Sequence, residues 1–167
     1  PTPSFDCAVQ KMRPDGRSQA SVREEVDRRL SELLQSHERQ GQLIALLGDL
    51  NVTLDNALDT TRPFSGGVYE AARRRFVRLM DDCALMDVWR ERNKAVRDKF
   101  TSFQQRGAGG GGPRLARVDL ALVPRRLAAD VVRVDILDED GTFTTASYTQ
   151  AVRSDHVPIL LELRVST

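Results

Sequence analysis

Hydrophobic residues recur along this chain at two spacings, and the switching between them predicts an α/β domain. The opening, Pro1 to Ala20, is turn-rich and weakly periodic, and reads as an extended entry or tail. Val22, Val26, Leu30, Leu33 and Leu34 then fall on one helical face. Ser21 and Glu24 form an S-x-x-E capping box at its start, and Gly41 is its natural stop. Leu43 to Leu47 is a continuous apolar run, the pattern of a strand buried on both faces. It ends in the polar cluster Gly48-Asp-Leu-Asn51. A loop follows from Thr53 to Gly67. A second helix is predicted over Val68 to Cys83, with Ala72, Phe76, Leu79 and Met80 facing inward.

Beyond it the pattern turns to strands. Leu85 to Trp89 is short and apolar, Phe100 to Phe103 alternates, and Arg117 to Val123 and Val131 to Leu137 read as strands. Gly107 to Gly112 is a glycine-rich loop and Asp138 to Gly141 a turn. Arg153-Ser-Asp-His156 precedes a last strand, Val157 to Val165. One helix–strand–helix unit followed by several strands implies a layered α/β or α+β fold.

Composition narrows the class. The chain has 167 residues, 40% of them hydrophobic, and a net charge of +1, which suits one globular domain and argues against disorder. No run approaches the roughly 20 apolar residues that span a bilayer, so no membrane partner is expected. Cys7 and Cys83 are too few for a disulfide framework or a zinc site, and an intracellular, reducing setting is expected. The chain opens without Met, so a fragment is expected. Among the cations the lysines are only Lys11, Lys94 and Lys99. Arginine forks suit bidentate phosphate contacts, although a GC-rich genome produces the same bias.

Four polar clusters stand at the ends or edges of apolar strands: Asp49 with Asn51, Thr101 with Ser102, Asp119 alone, and Ser154-Asp155-His156. Asp119 interrupts an apolar strand, where a carboxylate is costly unless paired. A carboxylate on one imidazole nitrogen fixes the tautomer and supports the imidazolium, so Asp119 and His156 are expected to pair. Asp49 and Asp155 could hold a hard divalent cation or a water. Asn51 offers a neutral donor for a phosphoryl oxygen. Each cluster alone is also what a turn, an edge residue or a solvated corner looks like; the case rests on their recurrence in order.

Five segments carry a family likeness: Leu46-Leu-Gly-Asp-Leu-Asn51, Leu85-Met-Asp-Val-Trp89, Phe100-Thr-Ser-Phe103, Arg117-Val-Asp-Leu-Ala-Leu122, and Ser154-Asp-His156 followed by Val157-Pro-Ile159. In these the chain resembles the C-terminal half of the endonuclease/exonuclease/phosphatase superfamily. The likeness is nearest to the apurinic-type endonuclease domain of non-LTR retrotransposons, and it spans residues 21–165 as a partial domain. It implies part of a four-layer α/β sandwich with two packed mixed sheets, the N-terminal half missing. It also implies phosphoester hydrolysis with Mg²⁺ (Mn²⁺ as the alternative), DNA as substrate held through its phosphate backbone, a missing N-terminal half or a downstream reverse transcriptase domain as partner, and a nuclear setting for a retrotransposon-encoded nuclease.

Carried over motif by motif, Asp49 orients or deprotonates the attacking water, and Asn51 holds the scissile phosphate. His156 stabilises charge on a phosphate oxygen, with Asp119 orienting it, and Asp155 contributes to the metal region. Thr101, Arg62 and Ser154 are expected at the substrate. Arg106, Arg114 and Arg117 flank the glycine loop and are expected to touch phosphate rather than read bases, unless that loop is only a linker. Trp89 and Met86 are expected in the core, His37 and the run Arg90 to Lys99 at the surface. The family's metal-binding Glu has no counterpart before Gly48, so little activity is expected from this chain alone. Two other readings stand: a phosphatase of the same superfamily, and a non-catalytic remnant that binds nucleic acid or a partner.

Overall fold

The computed structural model describes residues 18–64, 66–104, 113–137 and 155–164. Most of the expected entry segment, Arg106, the glycine run 107–112, the turn at 138–141 and Ser154 lie outside the described residues. The chain divides into two compact units, Pro1–Leu43 with Ser65–Cys83, and Ile44–Phe64 with Ala84–Thr167.

The first unit is built on two helices, α1 (Gln19–Arg39) and α2 (Gly67–Asp82), packed against each other. α1 starts earlier than its capping box predicts. Ser18, not Ser21, is the N-cap, and its hydroxyl accepts from the Ser21 amide at 3.1 Å. The C-terminus ends as expected at Gly41, which takes φ +69°. Its amide donates to Glu38 and the Gln42 amide to His37, the paired bonds of a Schellman motif. Burial centres on Leu34 rather than on the whole apolar set. Val26 and Leu33 are exposed, because the covered stripe runs at helical spacing through Asp27, Leu30, Ser31 and Leu34 and leaves them outside it. Asp27 is admitted there by its ion pairs with Arg23 and Arg75. From α2, Tyr69, Phe76 and Leu79 are buried.

The second unit holds the strands: β1 (Leu46–Asp49), β2 (Leu85–Asp87), β3 (Ser102–Gln104), β4 (Arg114–Ala116), β5 (Asp119–Pro124), β6 (Val131–Ile136) and β7 (Ile159–Leu163). A short helix, α3 (Val88–Arg92), follows β2 and is N-capped by Asp87, and a 3₁₀ turn (Arg125–Asp130) joins β5 to β6. β5 lies between β1 and β2, β3 pairs with β4, and β6 with β7; every strand pair among the described residues is antiparallel.

Two strands differ from the apolar pattern. The run Leu43 to Leu47 is not buried on both faces: Leu43 is 53% and Leu47 43% exposed. In β1 half-buried and exposed residues alternate, so one face of the strand is covered and the other is exposed. The doubly covered strand is β5, where Leu120 to Val123 are all 0% exposed. Nor is Arg117 to Val123 one strand. The chain leaves β4 at Ala116, changes partner across Arg117 and Val118, and enters the three-stranded sheet at Asp119. Trp89, Phe100, Phe103, Leu115, Val134 and Val157 fill the core beside β5. Each such fully buried side chain stabilises by about 1.5–3 kcal/mol. No described helix is long and apolar enough to cross a membrane.

Candidate active site

The site begins at the end of β1. Antiparallel pairing places Asp49 directly opposite Asp119, the first residue of β5. Two like charges across a sheet repel, so something must separate or neutralise them. Asn51 answers for Asp49. Asn51 takes φ +50° just past the end of β1, a left-handed backbone that Asn tolerates better than most residues. The Asn51 amide then donates to Asp49 Oδ1 at 2.8 Å and its Nδ2 to Oδ2 at 3.0 Å. His156 answers for Asp119: its Nδ1 donates to Asp119 Oδ2 at 2.8 Å. The other ring nitrogen, Nε2, stands 4.0 Å from Asp49 Oδ2. One imidazole therefore lies between two carboxylates contributed by neighbouring strands.

Asp49, Asn51, Asp119 and His156, predicted from widely spaced motifs, are thus gathered in one place. The other predicted residues are not. Thr101 is fully buried, and its Oγ1 accepts from the Val118 and Asp119 amides at 3.1 and 3.0 Å. It lies beneath the site, so a phosphate cannot reach it. Asp155 is exposed; its carbonyl accepts from Phe103, and its side chain makes no hydrogen bond or ion pair among the described residues. Arg62 is half-buried and bonded to Thr60 only through its backbone. Ser154 lies outside the described residues.

Two of the arginines expected at phosphate are also elsewhere. Arg114 is buried and its guanidinium stacks on Phe64, 4.2 Å from the ring centroid. Arg117 is 0% exposed. Its Nε donates to Asp59 Oδ1 at 2.9 Å, its Nη1 lies 2.7 Å from Asp87 Oδ2, and it stacks on Trp89. Arg90 completes this network rather than facing solvent as expected, donating to Asp59 Oδ1 at 2.5 Å. Burial alone would raise the Asp59 carboxyl, but the Arg117 charge, with donors from Arg117, Asp55 and Arg90, holds it below the usual carboxylate range. Burial likewise works against the charge of Arg117, and Asp87 and Asp59 outweigh it. A sequence signal for this network exists. Asp87 and Arg117 each sit inside an apolar segment, which demands a partner of opposite sign, but the partner's place in the chain is not written there.

A metal is a different matter. Among the described residues no group of three or more His, Cys, Asp or Glu side chains, Asp49, Asp119 and His156 included, is arranged so that it could hold one. Both Asp49 oxygens already accept from Asn51, and Asp119 accepts from His156. The described residues do not by themselves supply the six oxygen ligands that Mg²⁺ prefers.

Comparison with solved structures finds this fold in two AP endonucleases and an exonuclease. An AP endonuclease from Archaeoglobus fulgidus matches 93% of the chain with a TM-score of 0.64 and 22% identity, the chain covering 58% of that structure. A 3′–5′ exonuclease from Neisseria meningitidis matches 86% with a TM-score of 0.63 and 24% identity, 54% of it covered. An AP endonuclease from Leishmania major matches 73% with a TM-score of 0.52 and 22% identity, 35% of it covered. The chain therefore has an α/β fold shared with these enzymes and spans between about a third and three-fifths of their lengths. No protein-family profile matches it, and no curated protein sequence does.

Proposed function

We propose that this chain carries the hydrolytic face of a DNA-directed phosphoesterase of the endonuclease/exonuclease/phosphatase type. We further propose that it is the C-terminal part of a retrotransposon-type endonuclease domain, weakly active or inactive by itself. The observation that carries this reading is His156 held by Asp119 at 2.8 Å and facing Asp49 at 4.0 Å. The shared fold of the AP endonucleases and the exonuclease supports it.

In the proposed reaction water attacks phosphorus and the ester P–O bond to the leaving oxygen breaks. Asp49 orients the water and takes its proton. Asn51 Nδ2 keeps a second N–H beyond its bond to Asp49, and offers it to a non-bridging phosphate oxygen. His156 donates Nδ1–H to Asp119 and, as the imidazolium, donates Nε2–H to the same phosphate, where negative charge builds. Fixed donors at such a point stabilise the transition state more than the ground state. The leaving oxygen takes its proton from solvent. The exposed Asp155 carboxylate, next to His156 in the chain, would be the group to hold Mg²⁺ or Mn²⁺, and the cation would supply positive charge to the phosphate oxygens.

A 3′ phosphatase from Neisseria bound to a product DNA hairpin also shares the fold, with a TM-score of 0.59 and 22% identity. It favours a second reading, removal of a terminal phosphate from DNA. The test completes this chain with the N-terminal half of the Archaeoglobus neighbour and follows plasmid nicking and 3′-phosphate release with Mg²⁺. Nicking that disappears in His156→Ala supports the endonuclease reading; phosphate release without nicking supports the second. Equal turnover by wild type and His156→Ala refutes both.

A further inference from the structure

We infer that Thr101 is a positioning residue that sets the distance between Asp119 and His156; this rests on the reading of that pair given above. Thr101 stands just before β3 and is bonded to both segments that carry the pair. Its amide donates to the Ala116 carbonyl at 3.0 Å, and its Oγ1 accepts from the Val118 and Asp119 amides. Its carbonyl accepts from the Val157 amide at 2.8 Å, one residue past His156. The next two residues repeat the second attachment: Ser102 bridges to His156, and the Phe103 amide donates to the Asp155 carbonyl at 2.9 Å.

The hydroxyl is the part that sequence choice controls. Val118 lies where the chain changes sheets, and the two amides of Val118 and Asp119 both turn to Thr101. Buried amides do not stay unpaired, so this one oxygen atom holds the Val118–Asp119 backbone from the side opposite its pairing with another segment, β1. A side-chain constellation has to be held to within about 0.5 Å to work. With Asp119 fixed from the hydroxyl and His156 from the main chain, Thr101 supplies that constraint without touching substrate. Valine has the same shape and no acceptor, so it isolates the effect of the oxygen; serine keeps the oxygen and loses only the methyl.

The experiment uses the full chain, labelled with nitrogen-15, and needs no substrate. The His156 Nδ1 proton on Asp119 gives a downfield resonance, assigned by its loss in His156→Gln. In Thr101→Val this resonance moves upfield or is lost to exchange, and the Val118 and Asp119 amides exchange faster by on the order of tenfold. In Thr101→Ser all three are kept. A folded Thr101→Val protein with an unchanged His156 resonance overturns the inference. Where Thr101→Val does not fold, Thr101→Ser decides: a kept resonance supports the role and a lost one refutes it. The hydrolytic reading fails separately, through nicking by His156→Ala, so the two failures are told apart.

Discussion

Asp119 accepts a hydrogen bond from Nδ1 of His156 at 2.8 Å across 37 residues of chain. That bond turns an isolated carboxylate at a strand start into an orienting group. It also faces the imidazole toward Asp49, which would otherwise confront Asp119 across β1 and β5 with like charge.

If the pair works as a unit, its members cannot be scored separately. In the completed chimera His156→Ala is expected to slow nicking by roughly 10²–10⁴-fold, the worth of a positioned acid or base. Asp119→Ala should fall in the same range. The double variant should be no slower than His156→Ala alone, because residues that act together are not additive. Initial rates of plasmid relaxation check this; losses that multiply contradict it.

The Asp59–Arg117–Asp87 network predicts a large stability effect. Arg117→Met leaves two buried carboxylates short of a cation, and removing one partner of a buried pair costs about 3–5 kcal/mol. Urea denaturation should show a midpoint far below wild type. On the surface of α1, Glu25 pairs with Arg28 and Arg29. Glu25→Gln should leave the midpoint nearly unchanged, since solvent screens that pair.

The same network predicts acid sensitivity. The Asp59 carboxyl is held below its ordinary value, so its folded value lies under its unfolded one. Its stabilisation is complete above the unfolded value of about 3.9 and is lost as pH falls through the folded value. Stability measured in urea should therefore decline below about pH 4, and less steeply in Asp59→Asn. Glu25, lowered to about 2 by Arg28 and Arg29, titrates with the same sign, so the comparison is best made in a Glu25→Gln background.

Gly41 predicts a backbone effect with no packing component. A Cβ added there meets nothing within 4 Å, but φ is +69°. Gly41→Ala should destabilise by about 1–2 kcal/mol, the left-handed penalty of an L-residue. A thermal melt that matches wild type would contradict the Schellman stop.

Cys83 is buried, with its Sγ 3.9 Å from the Ser31 hydroxyl, and burial raises its thiol above the usual value. Alkylation at neutral pH, read by peptide mass, should be slow at Cys83 in the native chain and fast in denaturant. Equal rates in both would show an accessible thiol.

Much of this was legible in the residue pattern because it is local. Gly41 ends a helix wherever it stands. The apolar runs at Leu120 and Phe76 demand burial, and Asp119 in an apolar strand demands a partner. Order along the chain was enough to nominate Asp49, Asn51, Asp119 and His156 as one group. What sequence could not supply was which polar atom faces which. The motif around Thr101 points to substrate, yet Thr101 lies buried beneath the site. Arg117 and Arg114 flank a glycine loop as phosphate-binding arginines do, yet one is held by two aspartates and the other stacks on Phe64. A hydroxyl or guanidinium has the same chemistry in either place. Burial and the direction of its neighbours' hydrogen bonds are settled only when strands far apart in the chain come into register.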